Sequence, residues 1–539
     1  MNIRLTHNKI LIISFLVFLF IYNFTNIFVW WPMLKDTEHL IFNWPDSTAN
    51  YFFSSLFANG GNLWFSEMLN LYTDNLLHAR SINVVGGNLV PMTFLPAIVI
   101  FGAFGRILGE FGILALTPFL AALSGLLVYR LVYYIFKDLD IALASSLLFW
   151  SLAPWVFFAN EVMLPSILFI FLVLAGFWAL AKSIILEKSL YWILASLFLS
   201  LAIFVRPTEV VWLSLIFIFI VYLNRQKIYL KHYVYGFVIF LAVLFLFLIL
   251  NKNTYGSYFS IGYLNFQSNS LSTEFSGQKT SGLLNYLKLL IAPFGLDFIL
   301  LTKNFYKYFI EIFAPYLVLA FLGVSIIFYK KQVTSPWKKY FLLSPFVFII
   351  ILLYYGSWDL ADPLVKELNK ISISYVRYFL PLYIWVLPLA AWAIKKMFYG
   401  PTKINKVAYY IVIVALMLTS VKLAFYSKND GLWSNMDNLQ NYNEQYKAVS
   451  QVVEKEAVII SERSDKVFFP KYRVIVPQGD LPLWSRVKNI INLVPIYYYT
   501  DKNSELLSVD QGELDKLNLK LEDQGKIWHN FSLYKVSNK

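Results

Sequence analysis

Eleven apolar runs, each about long enough to cross a bilayer, dominate this chain and restrict what it can fold into. They are Ile10–Trp31, Ile113–Phe136, Ile141–Phe158, Met163–Ala181, Leu190–Val205, Thr208–Leu223, Tyr233–Leu250, Phe309–Tyr329, Tyr340–Tyr355, Tyr375–Ile394 and Val407–Phe425. A backbone in hydrocarbon must satisfy its own hydrogen bonds, and runs of this length do so as helices. Of the 539 residues 58% are hydrophobic and 14% charged. Soluble chains carry about 25% charged residues, so an ordinary soluble enzyme, a disordered protein and a collagen-like fibre are excluded. The first run follows Arg4 and Lys9, shows no small-residue cleavage site and ends in Trp30-Trp31, so it reads as an anchor rather than a signal peptide.

The net charge of +13 invites a nucleic-acid reading, but its position argues against one. Residues 1–425 hold 30 Lys+Arg and 17 Asp+Glu, whereas 426–539 hold 15 of each, so the whole excess lies in the apolar part. Loop cations there orient a membrane protein. Leu89–Leu108, with Pro91, Pro96 and several glycines, could be a span or a half-buried helix. Taken as non-spanning, with the N-terminus inside, it puts Arg225/Lys227/Lys231, Lys330/Lys331/Lys338/Lys339 and Lys395/Lys396/Lys403/Lys406 in the cytoplasm. Asp138, Asp140 and Glu187 are then the only cytoplasmic acids of residues 1–425. The long connections, after the first span and from Asn251 to Tyr308, face out, and long loops in compact proteins usually carry function.

Composition changes near Tyr426: charged residues rise from 47 of 425 to 30 of 114. The division is therefore a membrane portion, 1–425, and a water-soluble portion, 426–539. The latter shows a helical pattern at Asn443–Glu456, strand-like Ala457–Ser461, Arg473–Pro477 and Val494–Thr500, a helical Val487–Leu493, and an alternating run Trp528–Val536. Strands interleaved with helices suggest a small α/β domain. The fold class is a polytopic α-helical membrane protein, about eleven spans plus outer membrane-surface helices, with a small C-terminal extracytoplasmic α/β domain. Cysteine is absent, so that domain has no disulfides to hold it.

The first outer loop contains FNWPDSTANYFFSSLFANGGNLWFSEMLN, Phe42–Asn70. Ala49, Tyr51, Phe52, Leu56 and Phe57 fit a short helix on the membrane surface, ended by Gly60-Gly61. Asp46 stands at its start, where the backbone dipole favours an anion. A capping role alone would also account for an aspartate there.

This stretch resembles the first extracytoplasmic loop of GT-C membrane glycosyltransferases, the class of protein O-mannosyltransferases and aminoarabinose transferases. The features are the acid Asp46, the aromatic helix Tyr51–Phe57 and the turn Gly60-Gly61. HARSINVVGGNLVP (His78–Pro91), APWVFFANEVM (Ala153–Met163), LAIFVRPTEVVW (Leu201–Trp212) and SYVRYFLPLYIWVLPLAA (Ser374–Ala391) are similar to later segments of such chains. One departure stands out. Many relatives carry a second acid in the outer turn after the third span, a few residues past the Pro, where this chain has Leu164-Pro165, and Glu161 is the nearest candidate.

The resemblance implies a transfer with inversion from a polyprenyl-phosphate sugar to an extracytoplasmic hydroxyl on a lipid, glycan or protein. It needs a base, for which Asp46 is first and Glu161 second. It also needs positive groups at the leaving phosphate. Arg206 and Arg377, at outer ends of spans, are the first candidates, and Arg80 and Lys303 are weaker ones. Snorkelling to headgroups would equally explain the two span-end arginines, and Glu209 could pair with Arg206 along its helix. A divalent metal is left open, because the Glu161 departure puts its ligands in doubt. The five histidines show no metal-ligand spacing, and there is no P-loop or GxSxG. Alternatives are a lipid-linked glycan transporter or flippase, which would show matching broken halves that this chain lacks, and an inactive GT-C-like membrane scaffold.

The topology predicts that reporter fusions at Lys338 and Lys539 give opposite signals, cytoplasmic and extracytoplasmic. Matching signals would overturn the orientation.

Overall fold

The computed structural model describes residues 3–37, 39–260, 262, 294–329, 334–360, 362–477, 483–501 and 511–539. Most of the long outer stretch expected from Asn251 to Tyr308 (residues 261 and 263–293), together with Lys330 and Lys331, lies outside them. Among the described residues seven helices are long and apolar enough to cross a membrane, and ten spans result if each of three bent helix pairs counts as one. The protein is a helical multi-pass membrane protein. The eleven runs read from hydropathy differ from these ten at one place: Ser189–Val205 and Pro207–Leu223 form one pair, bent by 117°. The break falls at Arg206-Pro207, where proline removes a backbone donor and pushes its predecessor out of the helical region.

The ambiguous run Leu89–Leu108 resolves into two parts. Its first residues form a strand, and Leu95 begins a helix continuous to Phe136 except at Gly109, whose φ of 65° and ψ of −158° break it. Glycine tolerates that conformation because it has no Cβ.

Two compact units emerge. The first comprises Met1–Thr25, Ala115–Leu246 and Lys279–Ser434 and holds most of the spans. Close helix approach there depends on small residues. A Cβ on Gly125 would lie 2.1 Å from the Trp150 indole. Trp150 Nε1 donates to the Ala122 carbonyl at 2.8 Å, and the Trp150 carbonyl accepts from Tyr22 Oη at 2.5 Å. At another point Lys395 pairs with Asp138 at 2.7 Å and Asp140 at 2.8 Å, fastening Ser374–Phe398 to the start of Leu139–Ser151.

The second unit comprises Asn26–Leu114, Phe247–Gln278 and Asn435–Lys539. In its first segment the helix Pro45–Gly60 precedes a three-stranded antiparallel sheet, β1 (Phe65–Ser66), β2 (Ile82–Val85) and β3 (Asn88–Pro91), in the order β1-β3-β2. The helix packs on Leu95–Leu108: Ser54 Oγ donates to the Ile98 carbonyl at 3.2 Å, and a Cβ on Gly102 would lie 2.8 Å from the Ser54 carbonyl oxygen.

The C-terminal segment carries a mixed five-stranded sheet of β4 (Val458–Ile460), β5 (Arg473–Ile475), β6 (Ile496–Asp501), β7 (Leu519–Trp528) and β8 (Phe531–Asn538), in the order β5-β4-β6-β8-β7. β4 runs parallel to β5 and β6, and β8 antiparallel to β6 and β7. The long helix runs Leu432–Ser450, earlier than the pattern at Asn443–Glu456, because its buried positions begin with Leu432, Met436 and Leu439 and continue to Val449. The short one is Leu483–Lys488 rather than Val487–Leu493. The alternating run Trp528–Val536 divides between two strands at a turn where His529 has φ 42°.

The core of this sheet includes Val458, Ile460, Ile475, Trp484, Ile496 and Val536, and it also includes Leu76 and Leu77 from the segment that follows the helix Pro45–Gly60. Leu77 and His78 form isolated bridges with Ile475, extending the β5 edge. Leu77, 2% exposed, is thus a core residue of a sheet built almost 400 positions later. Leu77→Ala is expected to destabilise the unit by about 2–5 kcal/mol. Thermal melting and limited proteolysis of the full chain check this, and an unchanged melting temperature would contradict the shared core.

Candidate functional site

In the second unit the candidate chemistry begins at Trp44-Pro45. Trp44 is extended, with φ −107° and ψ 133°, and Pro45 is the first helical residue, a position where its missing N–H is harmless. Trp44 is therefore the N-cap and makes no side-chain cap bond. Asp46 is the second helical residue, partly buried in the first turn, where the exposed amide ends favour an anion. The helix closes at Gly61, whose φ of 74° suits a left-handed cap and whose N–H meets the Phe57 carbonyl.

Asp46 Oδ1 accepts a hydrogen bond from Ser81 Oγ at 2.5 Å. Ser81 has φ 62°, an uncommon value for a residue with a Cβ. Its neighbour explains how the turn is held. The Arg80 backbone N–H donates to Asp465 Oδ2 at 2.8 Å, and its guanidinium contacts Asp465 Oδ1 at 2.7 and 2.9 Å and the Arg463 carbonyl at 2.9 Å. Asp465 is 1% exposed. Arg80 thus clamps the His78–Ser81 turn and aims the Ser81 hydroxyl at Asp46. His78 Nδ1 lies 3.0 Å from the Ala79 carbonyl, and burial pushes its imidazole below the ordinary range.

A second carboxylate borders this helix. Glu110, immediately after the Gly109 break, accepts from Tyr51 Oη at 2.5 Å and Ser55 Oγ at 2.8 Å. Burial, then the Glu110 charge, holds the Tyr51 phenol far above its usual range, so it remains a donor. Sequence reading passed over Glu110 because an acid after an apolar run carries no motif.

In the first unit the Arg206-Pro207 break and the start of Ser374–Phe398 supply two arginines, Arg206 at 6% and Arg377 at 9% exposure. Burial of this degree excludes snorkelling as their main role. Arg206 pairs with Glu209 at 2.7 Å, as their spacing allows. Glu209 also accepts from Tyr355 Oη at 2.8 Å and Trp212 Nε1 at 2.5 Å. Arg206 lies over the Tyr378 ring at 4.7 Å, Arg377 over the same ring at 5.3 Å, and Tyr355 stacks on it at 4.4 Å. Arg377 donates to Ser374 Oγ at 3.1 Å. Tyr378 therefore brings together two arginines that are far apart in sequence. Trp358, 5.6 Å from Tyr378, continues the aromatic array to Tyr375 and on to Tyr308. These rings carried no distinguishing signal among the chain's 36 tyrosines and 16 tryptophans.

Glu161 follows the helix Ala153–Asn160 and is 1% exposed; its backbone N–H closes that helix on the Phe157 carbonyl. The turn ahead of Pro165 includes Met163 at φ 70°. Lys303 is exposed on Phe298–Phe305, whose N-cap Asp297 accepts from the amides of Ile299 and Leu300. Among the described residues no group of three or more His, Cys, Asp or Glu side chains could hold a metal ion. The open divalent metal thus finds no multi-carboxylate cluster, and no step below runs through one.

Comparison with known proteins bears on the fold. The chain is similar to the crystal structure of the Archaeoglobus fulgidus oligosaccharyltransferase in its apo form, with TM-score 0.54 and 13% identity, over 92% of this chain and 69% of that one. The same enzyme's complex with Zn and sulfate gives 0.52 at 13% identity, over 90% and 67%. Its form tethered by a disulfide to an acceptor peptide containing the NVT sequon gives 0.53 at 13%, over 92% and 69%. The fold resembles that of this archaeal oligosaccharyltransferase. At such identity the likeness is one of architecture. No protein-family model and no curated protein sequence matches the chain.

The buried Arg206–Glu209 pair predicts an asymmetric mutant series. Glu209→Ala takes the carboxylate from a buried guanidinium and is expected to destabilise by about 3–5 kcal/mol, whereas Arg206→Met combined with Glu209→Leu recovers only part of that loss, because Tyr355 and Trp212 still lose their acceptor. Thermal melting in detergent distinguishes the two. Equal losses would show that the pair is not the main partner of either residue.

Proposed function

We propose that this chain is an integral membrane glycosyltransferase, a multi-pass protein of the cell membrane, that moves a sugar from a polyprenyl-phosphate donor to an acceptor hydroxyl outside the cytoplasm. In this reading residues 1–425 carry catalysis and 426–539 form an extracytoplasmic domain. The acceptor is a lipid, a glycan or a protein. The GT-C-like fold supports the reaction class. The observation that carries the assignment is Asp46, a half-buried carboxylate in the first turn of a helix that already receives a hydroxyl proton donor, Ser81 Oγ, at 2.5 Å. A general base must offer a hydrogen bond of this kind to the hydroxyl it activates.

The acceptor oxygen attacks the anomeric carbon as the carbon–oxygen bond to phosphate breaks. The electron pair leaves on the phosphate, the acceptor proton passes to Asp46, and the single displacement inverts the anomeric centre. Arg377 and Arg206 are the cations assigned to the leaving phosphate, because a guanidinium binds phosphate at two points and keeps its charge when buried. Arg80, already paired with Asp465, and the exposed Lys303 stand behind them. Glu161 is the second candidate base.

Asp46→Asn tests the base. Asparagine keeps the size and an oxygen for Ser81, so the melting temperature should hold while transfer falls by about 10²-fold or more. In the same membrane assay, with a panel of radiolabelled polyprenyl-phosphate sugars, Arg377→Ala should weaken apparent donor affinity. A fully active Asp46→Asn protein would remove Asp46 from catalysis and leave Glu161 as the next residue to test.

A further inference from the structure

The first unit contains a groove of about 370 Å³ between two spans, lined by the start of Glu311–Tyr329 and the end of Lys403–Tyr426. That volume is within the range of small-ligand sites, about 300–1,000 Å³. Its walls are mainly apolar, including Pro315, Leu416 and Leu423, and Tyr316 is buried among its lining residues. Both helices show apolar side chains to the outside. Ile411, Val414 and Leu418 are exposed on one, Val318 and Phe321 on the other. These are surfaces that hydrocarbon covers in a membrane protein, so the groove opens where lipid tails lie.

One end of the groove is different. Glu311 and Lys422 line it, and Tyr426, 68% exposed, closes the row. Tyrosine and lysine at the end of a span mark the headgroup level. Glu311 pairs with Lys370 at 3.1 Å. The carboxylate thus already has a cation, and Lys422 adds a further positive charge facing the same end.

We propose that this groove binds an anionic phospholipid, its acyl chain between the two helices and its phosphate at Lys422. The site uses neither Asp46 nor the arginines around Tyr378, and it stands independently of the transfer reaction. An apolar slot continuous with lipid-facing surface selects a hydrocarbon chain. A lysine beside an already paired carboxylate selects a negative head over a zwitterionic one, through a charge-assisted hydrogen bond.

The test uses the purified full chain in mild detergent, with bound lipid read by native mass spectrometry and stability by thermal melting. Phosphatidylglycerol should be retained and raise the melting temperature, phosphatidylcholine should do so markedly less, and inorganic phosphate should not. Lys422→Glu should cut phosphatidylglycerol retention about tenfold or more, the scale of one charged contact. Thr419→Trp fills the groove from an exposed position whose hydroxyl bonds only its own helix at Ala415, and it should abolish retention. If Thr419→Trp lowers the lipid-free melting temperature, the headgroup selectivity of Lys422→Glu alone decides. Equal retention of both phospholipids, retention unchanged in Lys422→Glu, or stabilisation by inorganic phosphate alone would overturn the proposal. Transfer activity is not part of the readout, so either reading can fail without the other.

Discussion

Hydrocarbon offers no partner to a backbone amide or to a charge, and the architecture of this protein follows from that constraint. It makes helices of the apolar runs, and it makes every interruption of a helix conspicuous. The interruptions are few and chemically marked. Trp44-Pro45 starts the helix bearing Asp46, Gly109 breaks the helix ahead of Glu110, Glu161–Leu164 turns the chain ahead of Pro165, and Arg206-Pro207 bends it by 117°. Each of these four places brings a charged side chain into an otherwise apolar element, whereas the 52° bend at Leu152 brings in none.

Burial then requires that those charges be answered. Arg206 meets Glu209, which is itself satisfied by Tyr355 and Trp212, and the ring of Tyr378 faces both guanidiniums. A buried pair of this kind adds little net stability, since desolvation offsets most of the attraction, yet it holds its members in one geometry. The same logic operates in the second unit, where the buried Asp465 anchors Arg80 and the turn that aims Ser81 at Asp46. In both places part of what orients the candidate chemistry is distant in sequence from it: Tyr355 and Tyr378 from Arg206, and Asp465 from Arg80.

The second unit also solves a stability problem. A small domain without disulfides has only its core to rely on. The C-terminal sheet enlarges that core by taking in Leu76 and Leu77 from the segment after the helix Pro45–Gly60 and by extending its β5 edge through Leu77 and His78. The loop that carries Asp46 is thereby part of a folded unit, and its turns hold positive-φ residues such as Ser81 that an isolated loop would not hold.

Sequence alone determined the helical membrane class, nearly all the spans and a helix ending at Gly60, and it offered Glu209 as a partner for Arg206. Each depends on local quantities: apolar run length, a proline or glycine at a boundary, a spacing of three residues. The C-terminal strands were legible where they are buried and rich in β-branched or aromatic residues, as in Val458–Ile460 and Ile496–Asp501. β7 was not, because an edge strand reading LKLEDQGKIW takes its pattern from a single neighbour and stays largely polar. Only the tertiary structure decided that Ser81 faces Asp46, that Arg80 is held by Asp465, that Glu110 receives Tyr51, and that Tyr378 joins Arg206 to Arg377. Those contacts link positions about 35 to 385 residues apart, and no periodicity or motif encodes them. They arise when helices and sheets pack and each buried polar group must find a partner within about 3 Å.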